Sequence, residues 1–475
     1  MTTFVTAFLD LDEDRTKDKS FDTCFNLFEQ LVSTEISLHL FISPSLADRI
    51  TPRKNVKVEQ VTLTDLFTYD EYKEVENVSL PERRTVHHDT SHFLVLMNAK
   101  IEFMEKAIRA NHFPSTHYAW IDFSIFHVLH DKEKSTAYLQ LLHQTALKDK
   151  LLAFPGCWQK GYGADTLFHQ INWRFCGGFF IGDTTSILNM YKLMRSVFPE
   201  LVRTKGLTWE VNVWHYLELY HGLDIQWFSA NHNDSIIRLP QTFFKCVASL
   251  TTIPSRIDND CKLAIDSLLH QVDHIYLSVS TTYRRFGPFP EDAVPMYLEA
   301  YPYNEKVTLV RGEDYGPASK YIGAVDSLPE QTFVFCCDDD QEYHDTLIER
   351  MKQQIVKMAV YQNHYHPIRA KTSGGLIHGY VGNLIHTSVL KSLRTFPLPE
   401  AARFVDDQWT SLFCKIHDIP ILPSGVEEYK DIFKVLMNGY EKYGTVDSLS
   451  ALHNRREKIK ELEEFFNVFF EDKKC

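Results

Sequence analysis

One stretch in the second half of the chain indicates the fold: residues 332–341, with the sequence TFVFCCDDDQ. The apolar run at positions 333–337 leads directly into Asp338, Asp339 and Asp340. A short, continuously apolar run predicts a strand that is buried on both faces, as in a parallel sheet. Ligands of open α/β sheets bind beyond the carboxyl ends of such strands. We therefore expect the three aspartates to lie in a ligand-binding crevice.

The same three aspartates predict a divalent cation. Adjacent carboxylates repel one another unless a cation lies between them. Ligand sets made only of oxygen favour Mg²⁺ or Mn²⁺, which are usually shared with substrate phosphates. Asp338 and Asp340 form a D-x-D pattern and are the expected metal ligands. The alternative is an acidic loop that caps a helix over residues 343–358.

Composition excludes some classes of function. The chain has 475 residues, of which 44 % are hydrophobic and 13 % are aromatic, which is enough for two or three packed domains. Its net charge of −13 argues against a general nucleic-acid-binding protein, which would carry a basic surface. A nucleotide ligand is still compatible with this charge, because a metal ion screens phosphates.

The cysteines and the apolar segments indicate the compartment. The nine cysteines are scattered, without a C-x-x-C pair or a zinc-binding spacing, as is typical of thiols in a reducing compartment. The N-terminus has no basic segment followed by an apolar one, and the chain has no apolar run of about 18 residues. These patterns predict a soluble, cytoplasmic protein without a signal peptide or a transmembrane helix.

The order of the predicted elements restarts near the middle of the chain. The repeated strand, helix and strand are at residues 4–9, 21–32 and 38–42, and again at 245–250, 260–270 and 274–279. Further helices are predicted at residues 93–109, 184–197, 208–219, 318–328 and 451–470, and residues 43–90 show no clear pattern. We therefore predict two α/β domains, residues 1–241 and 242–475, each with a mostly parallel central sheet flanked by helices.

Polar residues follow the first predicted strand of the second half. Residues 249–256, SLTTIPSR, end that strand, so Thr251 and Arg256 are expected at the edge where a nucleotide base or diphosphate would lie. Arginine is suited to forked hydrogen bonds with phosphate. The alternative is a capped helix start with a surface arginine.

Two more motifs carry candidate functional residues. Residues 314–320, DYGPASK, contain a Gly-Pro turn that begins a helix, with Lys320 in its first turn. A lysine there opposes the helix dipole, which predicts an anionic ligand, although a solvated lysine explains it equally well. Asp406 and Asp407 precede another helix, where an aspartate would serve as a base or as an N-cap.

Taken in order, these motifs resemble the GT-A-type glycosyltransferases that are distantly related to glycosyltransferase family 2. Such domains share a start like SLTTIPxR, a helix end like SLLxQ, a DYGPxxK motif, a strand that ends in DDD, and a late acidic pair before a helix. The resemblance covers about residues 245–425. The chain departs from the pattern at Gln408 and Trp409 and lacks a clear third metal ligand, which leaves the acceptor and the stereochemistry open.

The resemblance implies roles for the acidic residues. Asp338 and Asp339 would hold the ribose and phosphate of a nucleotide sugar, and Asp340 would bind the metal. Asp406 or Asp407 would take the proton of the acceptor hydroxyl in a transfer with inversion.

The first half resembles the HtrL/YibB family, which is predicted to be glycosyltransferase-like. The match rests on FVTAF at residues 4–8, Lys100 ahead of a helix, WIDF at residues 120–123, and Gly177-Gly178 before a strand. It spans about residues 3–235.

This second resemblance implies another nucleotide-sugar site, with Lys100, Asp122 and Glu210. Asp122 and Ser124 take the place of a full D-x-D, so metal binding is expected to be weaker or absent there. His232 would supply a late metal ligand beside Asp122, or it is an ordinary surface histidine.

Together the resemblances imply a bifunctional glycosyltransferase. It would move sugars from a UDP- or GDP-sugar to a glycan or glycoprotein acceptor, with Mn²⁺ or Mg²⁺ as cofactor and with no nucleic-acid partner. One alternative is a first domain that only binds glycan or a partner protein. The other is a nucleotidyltransferase that makes nucleotide sugars, which would need a glycine-rich loop after its first strand. Neither half has a G-x-G there.

Overall fold

The structure is a computed structural model that describes residues 1–11, 19–364, 376–434 and 453–467. It divides into two compact units, Met1–Phe243 and Phe244–Cys475. The sequence predicts a boundary between residues 241 and 242, two positions away.

The first unit alternates strands and helices. Its strands are β1 (Thr2–Phe8), β2 (Leu38–Ile42), β3 (Val56–Gln60), β4 (His117–Ile121), β5 (Leu152–Gly156), β6 (Phe179–Asp183) and β7 (Gln226–Ser229). Its helices are α1 (Phe21–Val32), α2 (Phe67–Lys73), α3 (Ser91–Asn98), α4 (Lys100–Ala110), α5 (Lys132–Gln144), α6 (Thr184–Thr204) and α7 (Glu210–Tyr220).

The seven strands of the first unit form one sheet in the order β3-β2-β1-β4-β6-β5-β7. Strand β6 is antiparallel to both of its neighbours, and the other pairs are parallel. Every residue of β2, β4 and β5 is buried, as expected for strands that are covered by helices on both faces. The carboxyl ends of β1, β4, β5 and β7 therefore meet at one edge of the sheet.

The second unit also alternates, with shorter helices. Its strands are β8 (Cys246–Thr251), β9 (His274–Ser280), β10 (Thr282–Tyr283), β11 (Gly287–Pro288), β12 (Val307–Gly312), β13 (Phe333–Cys337), β14 (Glu342–Tyr343), β15 (Val360–Gln362), β16 (Asn383–His386), β17 (Ile421–Pro423) and β18 (Phe433–Lys434). Its helices are α8 (Asp260–Leu268), α9 (Tyr303–Lys306), α10 (Ser319–Ile322), α11 (Leu347–Lys352), α12 (Thr387–Arg394), α13 (Asp406–Ile416), α14 (Tyr429–Ile432) and α15 (Arg455–Phe466).

The main sheet of the second unit has the order β12-β9-β8-β13-β16-β15-β17. Numbered along the chain within each sheet, both sheets have the order 3-2-1-4-6-5-7. In the second sheet, too, the sixth strand, β16, is antiparallel to both neighbours while the other pairs are parallel. The predicted fold class, two α/β domains that each contain a mostly parallel sheet flanked by helices, is confirmed.

Several element boundaries differ from the sequence predictions. The helix predicted over residues 93–109 is two helices, α3 and α4, which meet at Ala99. Residues 43–90 contain the edge strand β3, which was not predicted and in which Val56 is the one buried residue. The helix predicted over residues 343–358 is shortened to α11, and the one over 318–328 to α10. Local apolar spacing therefore located these helices without determining their lengths.

Two predicted segments lie partly outside the described residues. The helix predicted over residues 451–470 includes α15 within its described part, and residues 373–375 of the glycine-rich segment 373–382 are not described. Among the described residues, no helix is both long enough and apolar enough to span a bilayer.

Candidate functional sites

Three aspartates follow β13 at the carboxyl edge of the second sheet. Asp339 Oδ2 accepts a hydrogen bond from Thr252 Oγ1 at 2.5 Å. Arg256 Nη1 donates to Asp339 Oδ1 at 3.1 Å and to Asp340 Oδ2 at 2.9 Å. Thr252 and Arg256 both come from the loop after β8, which pairs in parallel with β13. The sheet therefore brings together the two motifs that the sequence predicted to share a site.

The three carboxylates of this cluster are in contact with two cations, Arg256 and Lys320. Burial raises the pKa of Asp340 to about 7, and the neighbouring Asp338 and Asp339 carboxylates raise it as well. Burial also raises the pKa of Asp339, against the opposing effect of Arg256. Oxygen ligands in such a cluster have the chemistry that Mg²⁺ or Mn²⁺ requires, so the donor set fits the expected ion.

Lys320 lies beside this cluster rather than in the open cavity. Its side chain is buried, and Nζ lies 2.6 Å from Asp338 Oδ1 and 3.0 Å from Asp406 Oδ2. Burial alone would lower the pKa of Lys320, but these two carboxylates raise it well above its ordinary value. The anionic partner predicted for this lysine is thus supplied, in this structure, by the protein itself.

Asp406 and Asp407 form the first turn of α13, and both are buried. Asp407 Oδ1 accepts from the backbone N–H of Gln408 at 2.9 Å, and Oδ2 accepts from Arg455 Nη2 at 2.7 Å. Burial raises the pKa of Asp406, although Lys320 acts in the opposite direction. The two predicted bases are therefore in different environments, since both oxygens of Asp407 are engaged.

A cavity of about 340 Å³ opens in front of the aspartates. Its lining combines the acidic cluster with arginines and aromatic rings, among them Arg256, Arg284, Arg285, Arg403, Tyr283, Phe286 and Phe404. Thr251 also borders it, and its hydroxyl donates to Ser278 O at 3.0 Å. Residues 283–286, YRRF, were not predicted to border the site, although two arginines between two aromatic residues in a loop are a signal for it.

In the first unit, Asp122 is the residue that follows β4. Its Oδ1 accepts from Trp120 Nε1 at 2.8 Å and lies 3.3 Å from Lys100 Nζ. Lys100 Nζ also donates to Glu210 Oε1 and to Gly177 O, each at 2.8 Å. Burial alone would lower the pKa of this lysine, but Asp122 and Glu210 raise it. Three residues predicted separately from the sequence are thus in direct contact.

Two cavities meet at Lys100 and Asp122. One, of about 330 Å³, is bordered by Phe8, Asp10 and Phe123. The other, of about 520 Å³, extends to Glu210 and His232. Both cavities are also lined by His88, Phe93, Met97 and His127, and the second is lined in addition by Trp173, Gly177 and Gly178. The position of Asp122 at the carboxyl end of a central strand corresponds to that of Asp338.

The lysine arrangement occurs in both units, at the same places in the topology. Lys100 and Lys320 both lie in a helix between the third and fourth strands of their sheets. Asp122 and Asp338 both follow the fourth strand. Glu210 and Asp406, the second carboxylates, are each the first residue of the helix before the seventh strand: these helices are α7 and α13.

A glycine lies against the lysine arrangement in each unit. A Cβ atom at Gly177 would lie 2.3 Å from Glu210 Oε1, and one at Gly379 would lie 2.5 Å from Lys320 Nζ. Each glycine precedes the sixth strand of its sheet. Any side chain at these positions would enter the space that the ion pair occupies.

The two sites differ in the two residues after the shared aspartate. Phe123 and Ser124 occupy the positions that Asp339 and Asp340 occupy in the second unit. Phe123 is buried and stacks against Phe8, with ring centroids 4.4 Å apart. The first site therefore lacks a carboxylate pair at its strand end.

The structure groups His232 with residues other than Asp122. Metal-ligating atoms of Cys157, Cys176 and His232 all lie within 4.8 Å of one another. His232 and Asp122 border the same cavity, and burial lowers the pKa of His232. Neither cysteine was predicted as a ligand, because the two are 19 positions apart and form no recognised metal-binding spacing.

Comparison with known proteins supports the resemblance of the first half. The family model for "Bacterial protein of unknown function (HtrL_YibB)" matches residues 1–208. Protein HtrL from Escherichia coli (strain K12) is 27 % identical over 147 residues, which cover 26 % of this chain and 52 % of that protein. The chain thus spans about half the length of this relative. The predicted similarity to HtrL/YibB proteins is confirmed for the N-terminal region.

Solved structures with partial similarity include transferases. Mouse xyloside xylosyltransferase 1 is 9 % identical to this chain. The match covers 48 % of this chain and 85 % of the mouse chain, with a TM-score of 0.28. Galactosyltransferase LgtC, in complex with donor and acceptor sugar analogues, is 14 % identical. The match covers 49 % of this chain and 73 % of LgtC, with a TM-score of 0.28. A 4-diphosphocytidyl-2C-methyl-D-erythritol synthase from Anaerococcus prevotii DSM 20548 is 11 % identical. The match covers 44 % of this chain and 99 % of the synthase, with a TM-score of 0.29.

Proposed function

We propose that this chain is a nucleotide-sugar-dependent glycosyltransferase with two donor sites, one in each unit. The observation that supports this most strongly is the buried lysine that holds two carboxylates at equivalent places in two sheets of identical topology. The sequences around the two lysines differ, so local sequence similarity does not account for the arrangement. A common ligand-binding role accounts for the same lysine and two carboxylates in both units.

In the second unit, Asp338 and Asp340 would hold Mn²⁺ or Mg²⁺. When bound, such an ion neutralises the charge that develops on a departing diphosphate. Arg256 would donate to the same diphosphate, since its guanidinium already spans the gap between Asp339 and Asp340. The aromatic rings and the arginines that line the cavity present flat surfaces of the kind that stack on a nucleotide base, and the arginines add positive charge.

Asp406 is the better candidate for the base that deprotonates the acceptor hydroxyl. A catalytic base works best when its pKa lies near the working pH, and burial raises the pKa of Asp406. Asp407 is held by Arg455 and by a backbone N–H, so it would orient the helix rather than exchange protons. Inversion at the sugar carbon follows from this direct role of the base.

The first unit would bind its donor with less help from a metal. Asp122 is the one carboxylate at its strand end, because Phe123 and Ser124 replace the other two. This difference also favours a second candidate for the first unit alone, a non-catalytic glycan- or partner-binding domain. Asp122→Ala distinguishes the two: loss of one of two sugar products supports transfer, and unchanged products support binding.

Isothermal titration of the full chain tests the donor sites. UDP and GDP are each titrated with and without Mn²⁺ into the wild type, Asp338→Asn and Asp340→Asn. We expect Mn²⁺-dependent binding of one nucleotide that both variants weaken by about tenfold or more, equivalent to about 1.4 kcal/mol. Asp292→Asn removes an exposed carboxylate of the same unit outside the cavity and is the matched control. Binding that is equal in all four proteins would contradict the proposal.

A further inference from the structure

Two cysteines and a histidine converge at the carboxyl edge of the first sheet. Cys157 is the residue after β5, Cys176 precedes β6, and His232 follows β7. Strands β6, β5 and β7 are neighbours in the sheet, and β6 runs antiparallel to the others. The start of β6 and the ends of β5 and β7 therefore lie at the same edge, which brings together residues that are distant in sequence.

The distances within this group match a tetrahedral metal centre. Zinc–sulfur bonds of about 2.3 Å in tetrahedral geometry place two sulfurs about 3.8 Å apart. The Sγ atoms of Cys157 and Cys176 are 3.8 Å apart, and a nitrogen of His232 completes a group within 4.8 Å. Asn231 Oδ1 lies 3.4 Å from Cys157 Sγ, where it or a solvent molecule would be the fourth ligand.

Hydrogen bonds of the protein hold the backbone around the two cysteines in place. The N–H of Cys176 donates to Pro155 O at 2.8 Å, and the N–H of Cys157 donates to Trp173 O at 3.0 Å. Arg174, between the two cysteines in sequence, is buried and forms a forked pair with Glu218 at 2.9 and 2.7 Å. The Trp173 and His232 rings also pack edge to face, with centroids 4.6 Å apart. The two thiols and the imidazole are thus preorganised.

We propose that Cys157, Cys176 and His232 bind a zinc ion in the first unit. Thiolate and imidazole ligands select zinc over Mg²⁺ or Mn²⁺, which prefer oxygen, so this centre is chemically distinct from the acidic donor sites. On binding, each thiol loses its proton to solvent and each sulfur forms one bond to the metal, without any change of oxidation state. The ion would connect the loops that border the Asp122 cavity, since His232, Trp173 and Asp122 line that cavity together.

Cobalt substitution tests this centre in the reduced, full-length protein. Co²⁺ bound by thiolates gives a charge-transfer absorption that oxygen ligands do not produce. We expect one Co²⁺ per chain with that absorption, displaced by Zn²⁺. Cys157→Ala and Cys176→Ala should each reduce the charge-transfer band by about half or more, and the double variant should abolish it, while His232→Ala should retain the band and weaken Co²⁺ affinity by about tenfold or more.

Matched controls are Cys414→Ala, a buried cysteine of the second unit, and His221→Ala, an exposed histidine of the first. Both should bind Co²⁺ like the wild type. Circular dichroism of each variant checks folding, and Cys157→Ser serves as a second variant that preserves side-chain volume. The proposal is overturned if the wild type gives no charge-transfer band, as a simple hydrogen bond between two thiols would predict. An undiminished band in the cysteine variants, or recovery of a disulfide between Cys157 and Cys176 from protein kept in reductant, overturns it as well.

Discussion

At the scale of single residues, Lys100 and Lys320 are the groups on which the two acidic sites depend. Each ammonium is buried and contacts two carboxylates from distant parts of the chain. A buried carboxylate without a partner is costly, because desolvation is not offset by a nearby positive charge. Each lysine therefore places a positive charge between a carboxylate at a strand end and a carboxylate at a helix start.

Lys320→Met should destabilise the second unit by about 3–5 kcal/mol, because it leaves Asp338 and Asp406 without their shared cation. Hydrogen exchange of the β13 amides measures this local stability. Lys391→Met is the matched control, since Lys391 forms an exposed ion pair with Glu330 and should have no measurable effect. Equal protection of β13 in both variants would mean that the two carboxylates do not need the lysine.

His215 should make the first unit less stable in acid. Its side chain is fully buried, and burial lowers its pKa from an ordinary value of 6.5 to about 4. The unfolded chain therefore binds a proton between these pH values while the folded chain does not, so stability falls as the pH drops below 6.5. From pH 7 to pH 5 this one group should remove about 2 kcal/mol from the free energy of unfolding.

Urea unfolding at pH 7 and pH 5 measures that loss. His215→Gln should lose less stability than the wild type over this interval, because the titrating group is gone. His221→Gln, at an exposed position, should retain the pH dependence of the wild type. A His215→Gln variant with the full pH dependence would assign the effect to other groups.

At the scale of elements, the sites are built from strand ends and from the first residues of helices. Asp122 and Asp338 end parallel strands, whereas Glu210 and Asp406 begin helices. Carboxylates at a helix start interact favourably with the helix dipole, which partly offsets their burial. Gly177 and Gly379, which precede the sixth strands of their sheets, lie against these groups and leave room for the lysines.

Gly379→Ala should weaken donor binding in the second unit by about tenfold, equivalent to about 1.4 kcal/mol. Its new Cβ would lie 2.5 Å from Lys320 Nζ, so the ammonium must move away from Asp338 or Asp406. Gly312→Ala is the matched control in the same unit, because a Cβ there meets nothing within 4 Å. Titration with the nucleotide identified for the wild type compares the two. Equal affinities would show that the lysine tolerates displacement.

At the scale of the whole molecule, one topology is used twice with different chemistry at its carboxyl edge. Both sheets have the order 3-2-1-4-6-5-7, and both contain a lysine with two carboxylates. The second unit adds Asp339, Asp340 and Arg256. The first unit has a stacked phenylalanine instead, together with the Cys157, Cys176 and His232 group.

This difference predicts two nucleotide sites with unequal metal dependence. Titration calorimetry in Mn²⁺ should give two nucleotide equivalents per wild-type chain and one in Asp338→Asn. Chelation of the metal with EDTA should abolish binding in the second unit and reduce it less in the first, because Asp122 has no second carboxylate at its strand end. A single equivalent in the wild type would show that one unit does not bind nucleotide. Asp292→Asn again serves as the control with an intact wild-type stoichiometry.

Much of the fold could be predicted because its signals are local. The buried strand before Asp338 is one apolar run, and the start of the chain repeats the same alternation of strand and helix. Predictions were weakest where burial is partial, as at β3, whose side chains are mostly exposed. Helix lengths such as that of α11 were also missed, because tertiary packing rather than apolar spacing ends the helix.

The sequence by itself determined two α/β units and the acidic residues at their strand ends, because a buried strand and the polar residues after it are encoded side by side. Only the tertiary structure decided which charges meet. Lys100 and Glu210 are 110 positions apart, and Cys157 and Cys176 are 19 apart with no pattern to link them. Ion pairs and metal centres require atoms that lie a few ångströms apart in space. The order of the strands in the sheet determines which residues come that close.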